Sequence, residues 1–230
     1  FLAKSGKNTL LVDFDPQGNA TSGLGFDKQE LGVTMAEVIT GQAKLSQAIL
    51  PTEDKNLSTA PSLSHLANTE VELAQADGRF VRLKRALEEA KDYDYIVIDS
   101  PPSLSLLTVN GLIAARYILL PVQAEFYALE GLGQLLETMK LIRKGLNPSL
   151  ELLGVLPTMM DARTTLSTQV HDEIKKHFPD KVFTATIPRN IRLAEAPSHG
   201  LPVGAYDRFS KGARAYKALA KEIMERTAAI

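Results

Sequence analysis

Short apolar, β-branched runs alternate with stretches of helical periodicity along this chain. Asn8 to Phe14 (NTLLVDF) reads as a buried strand, entered through Gly6, a good C-cap for a preceding helix. Residues 79–91 have helical spacing, and Tyr95 to Asp99 (YIVID) is a second buried strand, stopped by Pro101-Pro102. A helix is expected over about 104–115, a strand over Tyr117–Val122, and a long helix from about Ala128 to Lys144. Further on, the pattern predicts a strand at Leu152–Pro157, a helix at 165–177, a strand at Val182–Ile187 and a C-terminal helix at 210–227. Strands alternating with helices of this length call for an α/β fold: a mostly parallel twisted sheet with helices on both faces, in one domain over residues 1–230. In such sheets ligands bind beyond the carboxyl ends of the strands. Asp13, Asp15 and Asp99 all fall at such ends.

Composition narrows the chemistry. With no cysteine among 230 residues, a disulfide framework, a thiolate zinc site and a cysteine nucleophile are excluded. The four histidines have no metal-ligand spacing. No apolar run approaches the roughly 18–20 residues of a membrane span. The net charge of −1, taken whole, argues against a nucleic-acid partner. Divided at residue 139, however, the chain has 11 basic and 18 acidic side chains before the cut and 15 basic and 9 acidic after it. Such asymmetry points to a basic face towards the C-terminus.

Two segments could carry chemistry. In Leu10-Leu11-Val12-Asp13-Phe14-Asp15-Pro16-Gln17-Gly18 a strand delivers carboxylates i and i+2 to the same side. They could share a cation, or form a solvated strand end with Asx turns. Tyr95 to Pro102 (YIVIDSPP) has the form of a Walker B element, an apolar strand ending in an Asp that suits the waters of Mg²⁺. A phosphate-binding G-x-x-x-x-G-K-[ST] run is absent, since Gly6-Lys7 precedes Asn8 and a strand.

Five blocks in order, LLVDFDPQGNATSGLG (10–25), YDYIVIDSPPSLSLLTVNGL (93–112), LLPVQAEFYALEGL (119–132), GVLPTMMDART (154–164) and IPRNIRLAEAPSHG (187–200), resemble ParA/Soj-type chromosome and plasmid partition ATPases, a P-loop NTPase family with a deviant Walker A motif. The resemblance starts partway through the helix after the family's P-loop. It implies a chain truncated before Phe1, with the first strand and the P-loop missing, which as it stands is expected to show no ATPase activity alone.

The resemblance also implies roles. Asp15 is the residue expected to orient the attacking water, and Asp13 and Asp99 to hold the waters of Mg²⁺. Thr158, Pro188, Arg189 and Asn190 match adenine-pocket positions, and Arg163 and Arg192 align with DNA-contacting positions. On the C-terminal helix Lys211, Arg214, Lys217 and Lys221 fall within about a 120° arc, with Ala213, Tyr216, Leu219, Ala220, Ile223 and Met224 on the core side. Such an arc is a solvated face or a phosphate-contacting one. The block Gln123–Gly131 is implied to lie near a dimer interface.

The expected function is thus an ATP-dependent DNA-partition switch, cytoplasmic and nucleoid-associated. ATP and Mg²⁺ would drive homodimerisation and binding to non-specific double-stranded DNA, and a ParB-type partner would stimulate hydrolysis. The alternatives are a MinD-like membrane-associated positioning ATPase, disfavoured by the small residues of the last turn, and a P-loop-free binding module.

Overall fold

The computed structural model describes residues 1–125, 130–161 and 163–228, which form two compact units. One holds Leu2–Ala115 with Pro197–Pro202; the other holds Arg116–Ala196 and Val203–Ile230, with Phe1.

The first unit contains, in chain order, β1 (Thr9–Asp13), α1 (Asn19–Gly23), α2 (Met35–Thr40), α3 (Leu45–Ala48), β2 (Leu50–Pro51), β3 (Leu57–Ala60), α4 (Leu66–Leu73), α5 (Arg82–Leu87), β4 (Tyr95–Asp99) and α6 (Leu106–Ala114). The expected helix before β1 is a single 3₁₀ turn, Ala3–Ser5, capped by Gly6 at φ +84°. Strand order is β2-β3-β1-β4, with β1 parallel to both β3 and β4 and β2 antiparallel at one edge. In this inner strand Leu10 and Val12, with Phe14 just beyond it, are buried in one cluster with Met35, Ile39, Leu83 and Leu107. Thr9 and Asp13 on the alternate positions are buried as well, so little of β1 meets solvent on either face. Among the described residues β4 pairs only with β1, and Val97 on it is 41% exposed.

The expected helix over 79–91 shortens to α5, because Val81 leaves helical geometry at its start. Helix α2 shows how local chemistry sets an end. The Thr34 side chain accepts from the Ala36 amide while Glu37 reaches back to the Thr34 amide, and Gly41 closes the helix at φ +83°.

The second unit contains β5 (Tyr117–Gln123), α7 (Glu130–Gly145), β6 (Glu151–Thr158), α8 (Thr165–His177), α9 (Ile191–Glu195), α10 (Val203–Tyr206) and α11 (Lys211–Ala228). Strands β5 and β6 are parallel, and the core gathers Leu153, Leu156, Phe183, Ile187 and Leu219.

The strand expected at Val182–Ile187 does not form. Only bridges remain, Val155 to Val182 and Met160 to Pro188. The reason is a competing acceptor. The Glu222 carboxylate on α11 takes the amides of Thr184 and Ala185, each at 2.9 Å, so those donors never enter a ladder. Arg226, one turn on, pairs with Glu222 at 2.8 Å, donates to the carbonyls of Leu153 (3.0 Å) and Val182 (2.7 Å), and lies 4.1 Å over the Phe183 ring. Among the described residues no helix is long and apolar enough to cross a membrane.

Candidate functional site

Parallel pairing in register sets Asp13 beside Asp99 at the carboxyl ends of β1 and β4. Immediately beyond, the Phe14 amide donates to the Asp99 carbonyl at 2.8 Å, which prolongs the pairing. Asp13 is fully buried. Its Oδ2 accepts from the Thr21 amide at 2.8 Å and the Thr21 hydroxyl at 2.6 Å, and its Oδ1 accepts a longer bond from the Asp15 amide at 3.3 Å.

Asp15 is half-buried in a tight turn. Its Oδ1 accepts from the Gln17 amide and its carbonyl from the Gly18 amide, both at 2.9 Å. Gly18, at φ +60°, must be glycine: an added Cβ would stand 2.6 Å from the Ser62 carbonyl oxygen. Lys28 Nζ closes the loop from outside by donating to the Gln17 carbonyl at 2.6 Å.

The electrostatics are those of a site short of positive charge. Burial raises the Asp13 carboxyl above its usual range despite the bonds from Thr21. Asp99 keeps more than a third of its surface open. Even so, loss of water around the carboxyl, followed by the charges of Asp13 and Asp15, pushes it up to about 6. A hard cation would relieve that repulsion. Among the described residues no three acidic or histidine side chains stand close enough to ligate a metal directly. Oxygen donors spaced in this way suit Mg²⁺ held through its waters.

Asp13, Asp15 and Asp99 are therefore brought together. Thr21, which binds Asp13 most closely, was not among the expected residues. Its only sequence signal is its place in the GNATSG segment, eight residues after the aspartate.

In the second unit, the expected base-contacting residues also converge. Thr158 ends β6, and beyond it Met160 bridges Pro188 and accepts from the Arg189 amide at 3.1 Å. Met159 takes a positive φ of 55° to make that turn. Asn190 is already engaged, as N-cap of α9, its Oδ1 accepting from the Arg192 amide at 3.1 Å.

Each of the expected loop arginines has a carboxylate partner. Arg163, exposed, grips Asp161 with both arms of its guanidinium, at 2.9 and 2.7 Å. Arg192 pairs with Glu195 at 2.8 Å and approaches Asp207 at 3.5 Å. On α11, Lys211, Arg214, Lys217 and Lys221 are all exposed, while Gly212, Ala213, Leu219 and Ala220 are buried. Tyr216 departs from the expectation. It is 37% exposed although its place on the helix is the same side as the buried Gly212, Ala213, Leu219 and Ala220. Phe126-Tyr127 and their neighbours to Leu129 lie outside the described residues, so the expected dimer-interface block is described only in part.

Residues 1–152 match a family model described as an AAA domain. The chain is 53% identical to the sporulation initiation inhibitor protein Soj of Bacillus subtilis over 96% of its own length and 88% of that protein's. It is 47% identical to the chromosome-partitioning ATPase Soj of Treponema pallidum, covering 98% of this chain and 88% of the relative. Among solved structures it resembles cobyrinic acid a,c-diamide synthase from Mycobacterium smegmatis with a bound ATP analogue and magnesium, with TM-score 0.87 and 38% identity over 98% of this chain and 85% of the other. The cell division ATPase MinD of Pyrococcus furiosus shares the fold, with TM-score 0.79 and 26% identity over 97% and 88% of the two chains.

Proposed function

Because the chain belongs to the Soj/ParA family of chromosome-partitioning ATPases, we propose that it is an ATP-dependent switch for DNA segregation. The observation that carries this reading is the register pair of Asp13 and Asp99 with Asp15 alongside: three carboxylates at strand ends whose charges act on one another.

In this reading Asp13 and Asp99 would hold Mg²⁺ through its waters, and the ion would supply neutralisation of phosphate charge. Asp15, more accessible than Asp13 and fixed by its turn, orients the attacking water. Phosphoryl transfer is chiefly positioning and electrostatics, so an oriented carboxylate is a sufficient protein contribution at that point. Thr158 and Pro188 to Asn190 form the base-recognising group, where Pro188 offers an apolar face and the Thr158 hydroxyl a hydrogen bond. Asn190 is left with its amide NH₂ for the base, since its oxygen caps α9.

The DNA-facing set is Arg163, Arg192, Lys211, Arg214 and Lys217. Among the described residues Lys211, Arg214 and Lys217 make no ion pair, so their charges are available to phosphates without reading bases. ATP-dependent homodimerisation, stimulation by a ParB-type partner and a cytoplasmic, nucleoid-associated location complete the proposal.

The test is fluorescence anisotropy of the full-length gene product on two unrelated duplexes, with ATP, ADP or no nucleotide, at two salt concentrations. Tight binding should require ATP, ignore sequence and weaken steeply with salt. Equal binding without nucleotide, or binding insensitive to salt, would sink the scheme. Strong ATP-dependent pelleting with liposomes would redirect it to a membrane surface.

A further inference from the structure

We propose that Thr21 is a positioning residue for Asp13, fixing which carboxylate oxygen faces a hydrated divalent cation; the role rests on the ATP and Mg²⁺ reading above. Thr21 is fully buried in α1. Its hydroxyl oxygen accepts from the Ser62 amide at 3.0 Å, and its single proton goes to Asp13 Oδ2 at 2.6 Å. With the acceptor side filled by Ser62, the hydroxyl rotor has one orientation left, and that orientation points at Asp13. The Thr21 amide adds a second donor to the same oxygen at 2.8 Å.

Oδ2 is therefore occupied by two short bonds. Among the described residues Oδ1 has only the 3.3 Å contact from the Asp15 amide and keeps acceptor capacity for a water of the ion. A β-branched residue holds this better than serine, because its methyl restricts χ1. The same hydroxyl also ties the end of β1 to the residue that follows β3 and Pro61. A change at Thr21 thus alters Asp13 through its hydrogen bonds, which is the mark of a positioning residue. Donors placed behind a metal-facing group in this way are worth about 10–100-fold in metal affinity.

The experiment uses the full-length gene product and a fluorescent ATP analogue, titrated with Mg²⁺ and, in parallel, with EDTA present. Thr21→Val should raise the Mg²⁺ concentration for half-maximal binding by about tenfold while leaving the EDTA-state affinity within about twofold. Thr21→Ser should return the midpoint to within about threefold of wild type. An unchanged midpoint in T21V, or an equal loss of affinity with and without Mg²⁺, would overturn the proposal. Should T21V melt below the assay temperature, Thr21→Ala carries the same test; if both unfold, Thr21 acts on stability alone and the proposal falls. Asp13→Asn separates the two layers. If D13N also leaves the midpoint unchanged, the reading of Asp13 fails; if D13N raises it and T21V does not, only the role of Thr21 fails.

Discussion

Gly25 and Gly200 meet backbone to backbone. A Cβ on Gly200 would lie 2.7 Å from the Gly25 Cα, and one on Gly25 would lie 2.9 Å from the Gly200 carbonyl oxygen. Both hold positive φ, +85° and +63°. The contact joins the loop after α1 to the Pro197–Pro202 segment of the same unit. Gly200→Ala carries two costs, left-handed strain and a clash with backbone that has no rotamer to move. The expected loss is about 2–3 kcal/mol in urea unfolding, seen as a lower midpoint at unchanged slope. A midpoint matching wild type would mean that the two loops can separate freely.

Asp99 gives a pH dependence of unusual sign. Its folded carboxyl titrates at about 6 against an ordinary 3.8, so the folded state binds a proton more readily than the unfolded one. Nucleotide-free protein in EDTA should therefore gain stability as pH falls from about 7 to about 5. Because the side chain is partly open to solvent, the gain is expected to be about 1 kcal/mol rather than the full shift. Asp99→Asn should melt higher than wild type at pH 7 and respond less to pH across that window, while losing ATP hydrolysis. A wild-type melting temperature that only declines from pH 7 to 5 contradicts this.

Glu222 has the opposite sign. Burial alone would raise its carboxyl, but the amides of Ala185 and Thr184 and the Arg226 guanidinium bring it below 4.5. Its contribution is complete above pH about 4.5 and disappears as pH falls through the lowered folded value. Hydrogen exchange reports this directly. The amides of Thr184 and Ala185 should be protected at pH 7 in wild type and exchange quickly in Glu222→Gln. Arg226→Met should cost about 2 kcal/mol, and Arg226→Lys should recover little, since an ammonium cannot serve two carbonyls and a carboxylate from one plane.

Arg163 is held by Asp161, whose carboxyl lies well below its usual range because of the Arg163 guanidinium bonds. A phosphate must compete with that partner. Asp161→Asn should tighten DNA binding by about two- to tenfold at low salt. Arg163→Ala should weaken it and lower the salt slope by about one. If D161N and wild type bind alike while R163A is impaired, the ion pair is not what limits Arg163.

Much of this was readable because each strand of the site states its own ending. LLVD and YIVID are apolar runs that stop in aspartate, and a parallel sheet in register places such endings side by side. The family blocks supplied the order of the rest. Strand β3 was not legible: Leu57-Ser58-Thr59-Ala60 has too little apolar pattern, and it is a strand because β1 and β2 flank it. Val182 to Ile187 failed the other way. Its alternation is that of a strand, but the acceptor that diverts its amides lies 37 residues beyond Ala185. Thr21 is not legible for a related reason, since hydroxyl to carboxylate distance is a tertiary fact. The charge division between the halves survived as composition. Its meaning is finer than a basic face: the loop arginines carry internal counter-ions, whereas among the described residues the helix lysines Lys211 and Lys217 have none.

The two amides that Glu222 covers bear on how copies of the protein behave in a crowded solution. Thr184 and Ala185 sit in a stretch whose sequence is well suited to cross-pairing with another molecule. A carboxylate from the protein's own helix occupies both donors, with its charge balanced by Arg226. An incoming strand finds no free hydrogen-bond donor at those two positions. Helix α11 thereby keeps two backbone donors of an alternating, strand-like stretch out of reach of any ladder between molecules.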